Sequence, residues 1–325
     1  MVYEASQNKS QIIKKQLLDD QKEVIASFEM PSTYRSGLLY LKTYAAIFMA
    51  IYLGLHLINP FAIILVMLFI AGRQHSLYIL NHDGSHYSLF KNPKFNKQVA
   101  TILSNLPMFH HPEAWSFIQW RRVHLMHHSY LFTEKDPNYL GRHLAGDTEI
   151  APTAFQLAWS CLLAVPETLK YFFQGKQDYV YPATIKFHKN YLNHLLALIA
   201  PFKKDIEMEK ERRLKLVFFF ISLLGVSYFH WWQPFLLFWI APMYLFYPII
   251  LRFHDLTEHH WDKQSINLDI NTQSVQRNYL FQLFLSSLPR GFHREHHLFP
   301  RVGIKNLPKL KALFGQYECE CSIAD

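Results

Sequence analysis

The chain has 325 residues, of which 50% are hydrophobic, 16% aromatic and only 18% charged, and its formal net charge is +8. That charged fraction lies below the quarter or so usual in soluble domains. Lys and Arg are scattered or flank apolar segments and no nucleic-acid module is visible, so no nucleic-acid partner is expected; a basic rim around a membrane domain accounts for the charge.

Residues 1–37 read as a polar N-terminal cytosolic segment, and the opening "MVYEASQNKSQIIKKQLLDDQKEV" lacks the apolar core of a cleavable secretory signal. Between Lys42 and Arg73 no Asp, Glu, Lys or Arg occurs, and the same holds between Lys215 and Arg252. Each stretch is broken near its middle, by "INPF" at 58–61 and by "WWQPF" at 231–235. A span needs about 20 mostly apolar residues. The pattern therefore predicts two helical hairpins, with spans near 38–58, 61–80, 214–232 and 234–253.

The turns at 59–60 and 231–234 carry no charge, whereas "KNPKFNK" (91–97), "RR" (121–122) and "KKDIEMEKERRLK" (203–215) lie outside the hairpins. Positive-inside logic puts both termini and the large segment 81–213 in the cytosol. Tyr228, Trp231 and Trp232 then fall at the far interface, where aromatic belts form. Within the cytosolic segment, "TAFQLAWSCLLAV" (153–165) and "YLNHLLALIAPF" (191–202) are too short to span. They suit helices lying on the cytosolic face of the bilayer, or helices buried in a cytosolic cap. Cys161, Cys319 and Cys321 form neither a disulfide framework nor a CxxC pair and read as free thiols in a reducing compartment.

The expected fold is all-α and integral to a membrane: four transmembrane helices as two hairpins, multi-pass, with a cytosolic helical cap carrying the histidine boxes. A domain from 38 to 315 holds the spans and a cap built from 81–213 and 254–315, and 316–325 is a C-terminal tail.

Eight of the 19 histidines fall into three compact boxes. "HDGSH" places His82 and His86 four apart, "RRVHLMHH" holds His124, His127 and His128, and "HREHH" repeats that spacing with His293, His296 and His297. Residues three and four apart share a helix face, so each box can aim several imidazoles at one point. His82 follows the second span, and "RFHDLTEHH" (252–260) follows the fourth, with Asp255 and His259 at matching depth. All of these converge on one membrane–cytosol boundary. They are too many for one ion, since tetrahedral zinc takes four ligands and octahedral ions six. Two ions sharing them is the natural reading, and imidazole suits iron, copper, nickel and zinc alike. A zinc-protease site is excluded, because HExxH needs a Glu where this box has Asp83.

These residues resemble the membrane-bound fatty acid desaturase family, the non-haem di-iron, three-histidine-box desaturases and hydroxylases. The resemblance is carried by "HDGSH", by "RRVHLMHH" with the downstream "DPN" (136–138), and by "HREHHLFPRVGIKNLPKL" (293–310), and it runs from about 38 to 315. It implies an O2-dependent oxidoreductase with two iron ions, O2 as co-substrate, and His82, His86, His124, His127, His128, His259, His293, His296 and His297 as ligands. Asp255 stands where some relatives hold a metal through water with Asn, and His254 and His260 lie on other faces of the same helix. Asp83, Asp255, Glu258 and Glu295 are candidates for orienting the imidazoles.

The first box lacks the HDCGH form of methyl-end desaturases, and the third begins with His293 where front-end types have Gln. There is no HPGG haem signature and no Gly-rich dinucleotide fingerprint, so electrons are expected from an external carrier of the ferredoxin or cytochrome b5 type. The expected activity is a lipid (fatty acyl) desaturase, with a di-iron hydroxylase of a carotenoid or alkyl chain as the alternative. A metal transporter would place ionisable groups near the midplane of its spans, and apart from His56, Arg73 and His75 these spans lack them there.

Overall fold

The computed structural model describes residues 8–108, 116–148, 153–174, 206–263, 265–275, 278–285, 288 and 291–323. Among the described residues the chain is all-helical, with two isolated bridges, His259 to Thr272 and Ser274 to Phe292, and no strand. In chain order the helices are α1 (Lys9–Asp20), α2 (Lys22–Glu29), α3 (Thr33–Leu55), α4 (Pro60–Ser85), α5 (Pro93–Ala100), α6 (Phe117–Tyr130) and α7 (Pro137–Leu144). There follow α8 (Ala154–Gln174), α9 (Ile206–Tyr228), α10 (Trp232–Glu258), α11 (Leu268–Asn271), α12 (Tyr279–Leu285), α13 (His293–Leu298) and α14 (Leu307–Ile323).

Three of these helices are long and apolar enough to cross a membrane: α3, α4 and α10, with 23, 26 and 27 residues. The break between α3 and α4 falls at "INPF", where Asn59 caps α4 by accepting from the backbone N–H groups of Phe61 (2.9 Å) and Ala62 (3.4 Å) and Pro60 occupies the first turn. Pro is suited to that position because the N–H it lacks would have had no helical partner. The expected span 214–232 falls in α9 and the turn after it. α9 is one continuous helix, but Glu207, Glu209, Lys210, Glu211, Arg212 and Arg213 occupy its first turns. Its apolar part, 216–228, is too short to reach the span length used above.

The helix ends remote from the site expose large apolar side chains. Ile58 and Phe61 are 95% and 80% exposed at one hairpin tip, and Tyr228 and Trp231 are 80% and 62% exposed at the other. Soluble monomers rarely expose contiguous apolar patches of this kind.

α4 is the central helix. Its outer half meets α3 and α10 through Ala50, Met67, Ile70 and Phe238. Farther along, Ala71 joins Met243, Tyr247, Ile250 and Leu251 of α10. α12 lies so close to α4 that a Cβ on Gly72 would stand 2.0 Å from the carbonyl oxygen of Phe284. Arg73, next to it and buried, donates to the carbonyls of Gln282 (3.0 Å) and Leu283 (2.7 Å) in the last turns of α12.

The segment expected as a polar N-terminal stretch is folded onto α13, α14 and the loop between them. Ile13, Leu17 and Ile25 are buried with Leu298, Phe299, Leu310 and Phe314 in the largest apolar cluster, and Ser10 hydrogen-bonds Asp269. The stretch 153–165 begins α8, which packs on α10, where Arg252 Nε donates to Ser160 Oγ at 3.0 Å. Its opposite face leaves Phe155, Trp159 and Leu162 exposed. The other short apolar stretch, 191–202, lies outside the described residues.

Candidate metal centre

The last turn of α4 runs beyond its apolar stretch and carries His82, with His86 as its C-cap residue. His124, His127 and His128 share one side of α6, whose first turn is capped by Ser116 Oγ accepting from the Gln119 N–H. His259 is the C-cap residue of α10, where the backbone turns extended. His293, His296 and His297 occupy the single short helix α13. Gly291 lets the chain enter α13: its φ is +124°, and a Cβ there would meet the Val275 carbonyl oxygen at 2.0 Å.

The structure brings all nine expected histidines into two adjoining groups. His82, His86, His124, His128 and His296 form one; His127, His259, His293 and His297 form the other. Within each group the ring nitrogens lie within 4.8 Å of one another. Consecutive Nε2 atoms nearly touch: His86 to His124 at 2.8 Å, His124 to His128 at 3.0 Å and His128 to His296 at 3.0 Å. In the second group His127 to His259 is 3.1 Å, His259 to His293 2.9 Å and His293 to His297 3.1 Å. The groups share a wall, where the rings of His128 and His297 stack at 4.3 Å.

The protonation pattern tests whether a cation fits. His127 Nδ1 lies 3.0 Å from both oxygens of Asp136, and His259 Nδ1 faces the Asn271 carbonyl oxygen at 3.3 Å. Those partners take the N–H of each ring, because a carbonyl or carboxylate oxygen only accepts. Both Nε2 atoms are then lone pairs, and they face each other at 3.1 Å. Two acceptors at that distance repel unless a positive ion lies between them. Ligands about 2.1 Å from one ion and at right angles to each other are about 3 Å apart, close to the observed spacing. The donor set fits metal ions.

Electrostatics agree. Burial, and then the neighbouring imidazoles, hold His124, His128, His259, His296 and His297 well below the ordinary imidazole value. Burial and the Arg121 guanidinium push His86 down to about 3. These rings are neutral at neutral pH, the form a metal requires.

The carboxylates behind the rings divide into several roles. Asp83 Oδ1 lies 3.5 Å from His82 Nδ1, and Glu258 Oε2 lies 3.6 Å from His293 Nδ1. Glu295, fully buried in α13, holds Ser274, Arg294 and Lys311. The Asp255 carboxylate pairs with the buried guanidinium of Arg142. Asp147 pairs with Arg142 at 3.3 Å and takes both Nη atoms of Arg252 at 2.7 Å. His254 stacks on His75 with ring centres 4.4 Å apart, and neither it nor His260 joins the two groups.

Two partners escaped the sequence reading. Asp136 was visible only as part of "DPN", an Asp before Pro that reads as a helix cap, and it does cap α7 through the Asn138 N–H (2.9 Å). The Asn271 carbonyl had no signal at all, since every residue offers one. Beside the histidines a small, partly open pocket reaches His82, His293 and His296, with Ile79, Phe292 and Leu307 as apolar walls.

Compared with known proteins, residues 55–320 match the family described as "Fatty acid desaturase". A curated relative, the dihydrorhizobitoxine desaturase of Bradyrhizobium elkanii, is 25% identical over 246 residues, which cover 73% of this chain and 63% of that protein. The chain thus spans less than two thirds of that relative's length. The family match covers well over half of the chain and includes all three boxes, and on that ground the chain belongs to the fatty acid desaturase family.

Proposed function

We propose that the chain is an O2-dependent desaturase that introduces a double bond into the acyl chain of a membrane lipid, with two iron ions held by the nine histidines. The observation that carries this reading is the pair of facing Nε2 lone pairs on His127 and His259, at 3.1 Å, within two buried, all-imidazole groups. Iron bound there would supply the activation of O2 and the removal of two hydrogens from unactivated methylenes, which no acid–base side chain can do.

The protein's own residues hold and insulate the site. Asp136 and the Asn271 carbonyl fix the tautomers of His127 and His259, which keeps Nε2 directed inward. Trp261 stacks on Phe132 with ring centres 5.0 Å apart and lies 4.7 Å from the His259 ring, closing one side against water. The apolar pocket lined by Ile79, Phe292 and Leu307 is where a methylene chain would approach His82, His293 and His296. Reducing equivalents would come from an external carrier of the ferredoxin or cytochrome b5 type, whose acidic surface the basic flanks of the apolar segments suit. The exposed apolar tips and the charged first turns of α9 support a four-span, multi-pass arrangement with both termini and the site on the cytosolic side, the crossing by α9 being completed by the uncharged turn 229–231 that continues it into α10. The relative's name describes desaturation of dihydrorhizobitoxine, which favours desaturation over hydroxylation here.

Two measurements test this. Metal analysis of the purified chain is expected to give iron equivalent to both histidine groups; zinc without iron would overturn the reading. Lipid analysis of a host expressing the chain is expected to show a new double bond; a new hydroxyl would assign the chain to hydroxylation instead.

A further inference from the structure

A second pocket, partly open to solvent, lies where the start of α3 meets the loop between α13 and α14. Arg35 and Ser36 line it from α3, and Lys305 and Asn306 from the loop. Its neutral polar groups are committed elsewhere. Ser36 Oγ donates to the Leu89 carbonyl at 2.7 Å, and Asn306 Nδ2 donates to the Phe28 carbonyl at 2.9 Å. The acid at its floor, Asp83, is buried, accepts the Ile304 N–H at 2.9 Å and faces His82.

What remains at the rim is positive. Arg35 and Lys305 are joined by Lys42, two turns along the same face of α3, and all three are exposed. None of the three pairs with a carboxylate among the described residues. Partial burial, and then repulsion from Lys42 and Arg35, lower the Lys305 amine. Three exposed cations gathered with no carboxylate paired to them are unfavourable by themselves, and a shared anion relieves that repulsion.

We propose that Arg35, Lys42 and Lys305 form a binding site for the phosphate headgroup of an anionic phospholipid. The lipid character follows from what lies along the same helix. Leu41, Phe48, Met49, Tyr52 and Leu53 are all exposed on α3, directly beyond the cations. An anionic head with an apolar tail satisfies both surfaces, whereas free phosphate satisfies only the first. A lipid held there ties α3 to loop 299–306, whose Ile304 N–H holds Asp83 beside His82. The proposal rests on the reading that α3 crosses the bilayer.

Native mass spectrometry of the full chain in detergent tests it, with phosphatidylglycerol, phosphatidylcholine and inorganic phosphate as separate probes. Phosphatidylglycerol is expected to be retained over phosphatidylcholine. The triple variant Arg35→Gln/Lys42→Gln/Lys305→Gln should weaken its binding about a hundredfold, from the usual worth of three basic residues near anionic lipid. Lys309→Gln, exposed on α14, should leave it unchanged. Equal retention of both lipids, or equal binding by the triple variant with its thermal midpoint intact, overturns the proposal. Displacement of the lipid by equimolar inorganic phosphate overturns the lipid assignment. Failure of the wild-type chain to float with vesicles overturns instead the membrane reading of α3.

Discussion

Asp136 combines three tasks in one buried carboxylate. It accepts from His127 Nδ1, caps α7 through the Asn138 N–H, and takes the Phe132 N–H at 3.1 Å. Removing such a partner behind a metal-binding imidazole lowers metal affinity by about tenfold to a hundredfold. Asp136→Ala is expected to do so, with Asp136→Asn milder because the amide oxygen still accepts; metal content after competition with a chelator measures both. His127→Ala should abolish product and lower metal content while membrane insertion is unchanged, and persistence of product would remove His127 from the site. The histidines also make stability depend on pH. In the unfolded chain they take up protons near pH ~6.5, whereas the folded chain holds them neutral, His86 down to about 3. The unfolded state therefore binds more protons below that pH, so stability is present above ~6.5 and falls as pH decreases. Thermal midpoints of chelator-treated chain should decline through the acid range, below ~6.5; a flat acid limb would contradict the buried, neutral rings.

At the scale of elements, the helices outlast the apolar runs that announced them, and the extra turns carry the chemistry. α4 continues past its expected span end at 80 to Ser85, which places His82, and α10 continues past 253 to Glu258, which delivers His259. Hydropathy marks where the apolar run ends, but the backbone hydrogen bonds of a helix are made within it and continue past that point. The break at "INPF" was legible because Asn59–Pro60 is a local cap signal and needs no distant contact. The second break falls at 229–231, ahead of the expected turn 231–234, because Trp232–Phe235 are already helical and Pro234 is accommodated in the first turn of α10. The approach of α12 to α4 was not legible, since it depends on Gly72 facing a backbone more than two hundred residues away. Gly72→Ala is expected to destabilise the chain by about 1–3 kcal/mol, because a backbone carbonyl has to move. Gly37→Ala, with nothing within 4 Å, should stabilise α3 by up to about 1 kcal/mol. Thermal unfolding of the two variants side by side distinguishes close packing from helix propensity.

Over the whole molecule, α1 and α2 fasten both ends of the chain to the site's support. Leu17 and Ile13 are fully buried against the cluster that holds Leu298 and Phe299 after the third box, and Leu310 and Phe314 of α14. Leu17→Ala should cost about 2–5 kcal/mol, measured as a lowered thermal midpoint, and should loosen metal retention through α13; full retention would separate the N-terminal helices from the site. By itself the sequence singled out the nine histidines that the structure gathers, the all-helical class and the break at "INPF". Those depend on side-chain type at short spacing: imidazoles three and four apart, uncharged runs, an Asn–Pro cap. Only the tertiary structure decided how the nine histidines divide between two groups, with His296 crossing to the first and His127 to the second. It also decided that Asp136 and the Asn271 carbonyl fix the tautomers, and that Asp255 turns to Arg142. Such choices depend on the direction of a ring or carboxylate across helices far apart in the chain, and direction exists only once the helices are packed.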